Sequence, residues 1–533
     1  MKTVFTFLFP FLFLIFASFS QAASANTTCL ASGVSAKDTM HINENYIVGA
    51  NETLELPAGK VVYFHGQYSI IVHGFIKAIG TAEAPVVFTM ADTTGFHVDS
   101  IADGGWKGIR IYSANTKADS SLFEHCVFEY GKASGEGDSL HGGAVYVNGF
   151  ETLRFSNCLF RNNYSKLNGG AVYIINGKAK LDHCTFIGNK SGRLETAPYG
   201  YGGGLNIHAS KVDVLNCTFE NNISSGVGGG LSSDQGDLLL VSSVFTGNYS
   251  GLGGALGVIR SGTLRPVMNC LFANNSCGFF GGSVAILTAS PVFVNNTVVY
   301  NSGMYGGGVY LNDGSKPLMY NCIMAHNTSM VNYGAQMHIF EATCAPVIQN
   351  CLLQGGLFGV YGYENYTFSG TYRDNLDSIP FLLMTGDHPY QLSDDSPCIN
   401  YGIQVPEYFT LPSVDIIGNT RVQGFAVDLG AYESSNSTAI QAFSSSIACF
   451  VAPNPFSENS RLYINNPEPG TVVIEIVDAR GVVLARINEK NCASGKQEFE
   501  IGSLLNNHPN GVYFVRVLSG NRHQSLSLVK SNR

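Results

Sequence analysis

The feature that most constrains this 533-residue chain is a pair of motifs that alternate from about residue 120 to 356. One is N-C-x-F-x-x-N, as in Asn157-Cys158-Leu159-Phe160-Arg161-Asn162-Asn163 and Asn216-Cys217-Thr218-Phe219-Glu220-Asn221-Asn222. The other is G-G-A-V-Y-I, with its first glycine at 142, 169, 202, 228, 253, 281, 306 and 334. Successive Phe-position residues (128, 160, 186, 219, 245, 272, 298, 324, 353) lie mostly 26 to 27 apart, with longer steps of 32, 33 and 29. A period of that length is a solenoid signature.

Strand side chains alternate between faces, so the Gly-Gly motif reads directly. Val145, Val172, Leu205, Leu231, Leu256, Val284, Val309 and Met337 face inward, as do most residues two further on. The residue between them varies freely (Tyr146, Tyr173, Asn206, Ser232, Gly257, Ala285, Tyr310, His338) and is expected to face outward. Each turn has no room for a helix, and 61 glycines disfavour one. The expected fold is all-β, a parallel β-helix with coils about 4.8 Å apart. Gly-Gly suits tight corners, and Asn163, Asn189, Asn222, Asn248, Asn275, Asn301 and Asn327 suit a second corner, where stacked amides form a ladder. The ladder also accounts for the N-x-S/T sequons among them better than glycosylation does. His125 and His183 are read as ladder members.

Nine equivalent slots at 126, 158, 184, 217, 243, 270, 296, 322 and 351 hold seven cysteines, with Ser243 and Asn296 as exceptions. Structural thiols are the favoured reading of this column, with disulfides and a metal site as alternatives. No C-x-x-C pair occurs, and neither metal nor cofactor is expected.

The net charge of −9 argues against nucleic-acid binding. Residues 1–25, with Lys2, an apolar stretch from Val4 to about Phe16, and Ala23-Ser24-Ala25, read as a signal peptide cleaved before Asn26. No other segment is apolar for the roughly 20 residues of a membrane span. The mature chain is therefore expected to be exported, without a transmembrane segment.

The F-x-x-N and G-G-A-[ILV] pair resembles the repeat of the polymorphic outer membrane protein family, whose members are right-handed parallel β-helices; the resemblance implies that handedness and exposure at a bacterial surface. Upstream, Ile71-Val72-His73-Gly74-Phe75 through Gly105-Trp106-Lys107-Gly108-Ile109 resembles the opening coils of secreted right-handed β-helices, so the helix is placed at 26–360. Residues 361–435, with Ser396-Pro397-Cys398, Asp415, Arg421 and Asp428, resemble segments that cap a solenoid end, the three charged residues being read as a buried ion network. A Ser-rich linker (436–446) follows. Residues 447–533 are similar to the C-terminal sorting domain of type IX secretion, through Pro453-Asn454-Pro455-Phe456, Val477-Asp478-Ala479-Arg480-Gly481, Asn510-Gly511-Val512-Tyr513 and Leu528-Val529-Lys530. Short alternating strands there predict a small β-sandwich. The resemblance implies contact with the type IX machinery, then surface attachment or release.

Parallel β-helices often cleave acidic polysaccharides, which requires a base and cations. Between Tyr199 and Ile339 only Lys211, Arg260, Arg265 and Lys316 are basic. A glycosidase needs two carboxylates about 5–9.5 Å apart, whereas Glu129 and Glu220 are three coils, about 14 Å, apart. Glu129 and Arg161 read as a surface ion pair. Asp138, Lys166, Lys190, Arg193 and Glu195 cluster nearby and leave a polysaccharide lyase or glycoside hydrolase open as the alternative. Aromatic residues near the Gly-Gly corners (Tyr164, Tyr199, Tyr201, Tyr249, Phe279, Phe280, Tyr305, Tyr333) suggest a different surface. Of these, Tyr164, Tyr199, Tyr201, Phe280 and Tyr305 are the candidate ligand-binding residues of an adhesin-like or carbohydrate-contacting protein, its partner an extracellular glycan or a host or cell surface, with no catalytic residue assigned.

Overall fold

The computed structural model describes residues 39–530 except 102, 113–119, 194–198, 263–264, 332–333, 363–367, 404–409, 425, 435–447, 453–457, 467–468, 479–481 and 520–521. Residues 1–25, read as a signal peptide, and the Ser-rich stretch 436–446, read as a linker, lie outside the described residues. Twelve coils stack in register from Thr39–Ile42 to Thr371–Arg373, forming three twelve-stranded parallel sheets and a short eight-stranded one at a corner. The Phe motif builds one sheet and the Gly-Gly motif a second. The third, from strands such as Leu153–Ser156, Lys178–Asp182 and Lys211–Leu215, has the alternating pattern Leu153/Phe155, Ala179/Leu181, Val212/Val214 and was not anticipated from the repeat.

Inside, the phenyl rings of Phe88, Phe128, Phe160, Phe186, Phe219, Phe245 and Phe272 stack at 4.6–5.0 Å, nearly parallel. The column Cys126, Cys158, Cys184, Cys217, Cys270, Cys322 and Cys351 is buried, and every described cysteine is a free thiol. Burial pushes the Cys270 thiol up to about 12, so it packs as a small hydrophobe.

The amide ladder is continuous. Each Asn Nδ2 from Asn163 to Asn301 donates to the Oδ1 of the next at 2.9–3.0 Å, and the same Oδ1 accepts that residue's own backbone N–H. Asn327 closes the ladder on Gln336 Oε1 (2.8 Å). All seven side chains are buried, which withdraws their amides from glycosylation. The left-handed residues are their neighbours: Asn162, Asn221 and Asn274 precede a ladder Asn at φ 51–55°, and a second left-handed corner precedes each Cys. His125 (φ 47°) and His183 (φ 54°) occupy that second corner, which corrects their reading as ladder members; His183 points out against Asp182 (2.9 Å).

At the Gly-Gly corner the first glycine is left-handed, and the second lies against the next coil. A Cβ on Gly202 would come within 2.2 Å of Leu205 O, and one on Gly203 within 2.3 Å of Gly229 O.

Of the segment read as a cap, Leu376 sits on the open end of the Phe sheet, pairing with Leu352, but most of its described apolar residues pack elsewhere. The coils run on to Thr371–Arg373, past the boundary placed at 360, and the chain then turns back along the outer face of the Phe sheet. Leu392, Cys398, Ile399, Leu429, Ala431 and Tyr432 pack there on Leu271, Ala273, Val299, Ile323, Ala325 and Leu352. The outward corner amides are matched to this cover: Asn269 Oδ1 accepts from Arg421 (2.8 Å), Asn295 donates to Asp428 O (2.8 Å) and Asn321 to Ile403 O (2.9 Å).

The C-terminal unit is an antiparallel sandwich of a three-stranded and a four-stranded sheet around Leu462, Ile464, Val472, Ile474, Val515 and Val517. Lys530 Nζ donates to the carbonyls of Leu505, Asn506 and His508, pinning the last strand to the turn at 502–505.

Candidate functional site

The row between the inward residues of the Gly-Gly strands does face out, but it is not exposed: Tyr146, Tyr173, Asn206, Ser232, Ala285, Tyr310 and His338 are all buried. Much of the cover comes from residues that immediately precede a Gly-Gly. His141 lies on Tyr173 of the next coil (centroids 4.8 Å), Phe280 on Tyr310 (4.7 Å), and Tyr305 beside His338 (5.6 Å). Val227 follows the same rule, since a Cβ on Gly257 would meet its Cγ1 at 2.4 Å. Two rows therefore interleave along one flank, with His141, Val227, Phe280 and Tyr305 each lying on or beside the outward residue of the following coil. The spacing of the Gly-Gly corners fixes the offset, because the left-handed first glycine folds the preceding residue over the strand.

This arrangement sorts the candidate residues. Tyr201, Phe280 and Tyr305 are pre-glycine residues, half-buried on this flank; Tyr201 and Phe280 pack against the cluster of Val227, Ile259, Ala285 and Tyr310. Phe280 also stacks on Tyr305 at 5.0 Å. Tyr199 is 56% exposed, two residues before Tyr201. Tyr164 does not belong with them: it lies in the short corner sheet, 2% exposed, beneath the Lys190 ammonium (5.9 Å from the ring centroid). Its place in the motif, directly after the ladder residue Asn163 rather than directly before Gly-Gly, explains the difference. Tyr333 lies outside the described residues. Sequence reasoning missed Tyr173, Tyr310, His338 and His141 as members of the flank; the signal was the outward row itself, which carries rings where an exposed row has no need of them.

The rings of the flank are neutral, although Arg110 stands in the same outward row and lies over Tyr146 (5.7 Å from the ring centroid). Burial lowers both His141 and His338 to about 4, so each imidazole is a neutral ring at neutral pH. Burial also pushes the Tyr173 phenol up to about 12 and Tyr310 higher still.

The charged residues weighed for catalysis are held elsewhere. Glu129 is buried and accepts from Arg161 Nε (2.7 Å), Arg161 Nη2 (2.6 Å) and Thr89 (2.7 Å), while the Arg161 side chain stays partly exposed, so the pair lies at the surface with its carboxylate sunk beneath it. Lys190 pairs with Asp99 and Arg193 donates to Asp99 O (2.8 Å), while Lys132 Nζ donates to the carbonyls of Gly95, Phe96, Val98 and Asp103. These cations clamp the loop at 91–105. Glu195 lies outside the described residues. Arg260 pairs with Asp234, Arg265 with Asp213 (2.5 Å) and Lys211 with Asp237 (3.8 Å). Asp415, Arg421 and Asp428 form, with Glu433, the buried network inside the cover.

The family model described as "Right handed beta helix region" matches residues 86–280, and the "Secretion system C-terminal sorting domain" model matches residues 451–531. Over 228 residues the chain is 26% identical to the metabotropic glutamate receptor-like protein R of Dictyostelium discoideum, covering 40% of this chain and 14% of that protein. The chain thus spans about a seventh of that relative's length. A right-handed parallel β-helix followed by a type IX sorting domain is the architecture, and the sorting domain makes this a secreted or cell-surface protein handled by that secretion machinery.

Proposed function

We propose that the β-helix is an adhesin-like, carbohydrate-contacting surface whose ligand lies along the interleaved flank. One observation carries this reading: the uncharged row Tyr201, Val227, Leu252, Phe280 and Tyr305 runs over four coils, about 19 Å at the usual spacing, with half-exposed rings at Tyr201, Phe280 and Tyr305. Aromatic faces of this kind stack on the apolar faces of sugar rings, and the uncharged side chains from Tyr201 to Tyr305 suit a neutral, polyhydroxylated ligand. Residues 1–25 as an export signal and residues 447–533 as the contact with the secretion machinery complete the reading.

The test is a glycan array probed with the mature protein and with Tyr201→Ser/Phe280→Ser/Tyr305→Ser. The variant is expected to lose at least tenfold in affinity with its coils intact by circular dichroism. Because the three rings are half-buried, Tyr199→Ser supplies a second arm at an exposed position and is expected to weaken binding a few-fold. Unchanged binding in both variants would sink the proposal. New reducing ends or unsaturated uronates released from a polysaccharide panel would instead identify a hydrolase or a lyase.

A further inference from the structure

The first two coils carry a feature that neither the flank nor the sorting domain uses. His41, on the outer face of the strand Thr39–Ile42, meets His65, which follows the strand Val61–Phe64 of the next coil. His41 Nδ1 and His65 Nε2 are 2.8 Å apart, with ring centroids at 5.0 Å and planes inclined by 34°. Both side chains are exposed. The register of the coils fixes the pair, since His65 N–H donates to Ile42 O (2.9 Å) and His41 sits opposite Tyr63.

Two imidazole nitrogens that face each other at this distance share one proton between two lone pairs. A metal ion with nitrogen ligands at about 2.0 Å separates them by about 2.8 Å when they are cis in a tetragonal field, and by about 3.3 Å when they are tetrahedral. The observed 2.8 Å fits the first geometry. Tetragonal nitrogen coordination is the preference of Cu(II) and Ni(II), and Cu(II) heads the affinity order for such ligands.

We propose that His41 and His65 form a two-histidine site for Cu(II), the remaining positions being filled by water or an exogenous ligand. On binding, the ring that donates in the free pair passes its proton to its far nitrogen through solvent, so both facing nitrogens become ligands and no net proton is released. Because the ligands come from successive coils, the ion ties the first coil to the second and stabilises only the folded end of the solenoid. The site is independent of the glycan reading.

Titrating the mature protein with Cu(II), with electron paramagnetic resonance as the readout, is expected to show one tetragonal centre with two equatorial imidazole nitrogens. His41→Ala and His65→Ala, both at exposed positions, are each expected to weaken binding at least tenfold, and Zn(II) is expected to bind at least tenfold more weakly than Cu(II). His73→Ala is the control, its ring stacked on Tyr112 rather than facing another histidine, and is expected to bind as the parent does. Amide exchange in 39–48 is expected to slow on addition of Cu(II) to the parent only. A spectrum without two nitrogens, or affinity unchanged in both His41→Ala and His65→Ala, overturns the proposal.

Discussion

Replacing Asn248 with alanine is expected to destabilise the β-helix by about 2–6 kcal/mol, more than an ordinary polar-to-alanine change. Asn248 Oδ1 accepts from Asn222 N–H (3.0 Å) and Asn222 Nδ2 (3.0 Å), while its Nδ2 donates to Phe219 O (2.9 Å) and Asn275 Oδ1 (2.9 Å). Alanine orphans two buried groups of the preceding coil, namely the Asn222 N–H and one Asn222 Nδ2 proton, at about 1–3 kcal/mol each, while the Phe219 carbonyl keeps its place in the parallel ladder with Val244–Thr246. The Asn275 Oδ1 keeps the Asn248 backbone N–H (3.0 Å). In a quasi-one-dimensional array the loss falls on the interfaces between adjacent coils, so hydrogen exchange should speed first in the coils holding Asn222, Asn248 and Asn275. The control is Asn157→Ala at an exposed left-handed corner, which loses no ladder bond. Chemical denaturation of the two variants checks the contrast; equal midpoints would show that the ladder contributes little.

Most of the solenoid was legible because one physical demand recurs in every coil. The inward rows must be apolar, the ladder position must offer a donor and an acceptor at once, and the Gly-Gly corner excludes a Cβ. Each demand leaves a residue type at a fixed phase, and the period follows. Features that depend on one region covering another were harder to see. The outward row of the Gly-Gly sheet was expected at the surface, because alternation gives direction and not depth; depth is set by the pre-glycine residue of the preceding coil. The role of 376–434 was misplaced for the same reason. Its trace was in the sequence of the Phe sheet, where outward residues change from Glu129, Arg161 and Glu220 to Leu271, Ala273, Val299, Ile323, Ala325 and Leu352. An outward row that turns aliphatic over its last coils requires a partner, and the next segment of chain supplies it. Within the candidate site, residue type alone grouped Tyr164 with Tyr201, and only the position relative to Gly-Gly separates the buried ring from the flank.

The second large effect concerns how that cover is fastened. Arg421, Asp415, Asp428 and Glu433 are all buried, so one guanidinium serves three carboxyl groups. Asp415 is held by the N–H groups of Ile417 (3.0 Å), Asn419 (2.8 Å) and Glu433 (2.9 Å), and Asp428 by those of Asn400 (2.6 Å) and Ser434 (2.7 Å). Arg421 reaches Glu433 (3.4 Å), Gly430 O (2.9 Å) and Asn269 of the solenoid (2.8 Å). Arg421→Met leaves buried carboxylates without their cation and is expected to cost about 3–5 kcal/mol. It should free the cover while the coils persist, read as protease cleavage within 376–434 and dye binding to the exposed aliphatic row. The latch also sets a pH dependence. Burial, with Asp428 beside it, raises Glu433 from its ordinary 4.5 to about 8, and burial raises Asp428 in the same direction. A carboxyl whose folded pKa is raised holds a proton that the unfolded chain has released, so its contribution is complete below about 4.5 and is lost as pH climbs to about 8. At about 1.4 kcal/mol per unit the ceiling is about 5 kcal/mol. Protection of the cover should therefore weaken from pH 5 to pH 8, opposite to the trend of a carboxylate stabilised in its ionised form. Glu433→Gln keeps the shape and removes the charge, so it should flatten most of that slope and leave the cover better fastened than the parent at pH 8. A parent whose cover is equally protected at both values, or a Gln variant that retains the full slope, would show that Glu433 is ionised in the folded protein and that Arg421 compensates all three carboxylates.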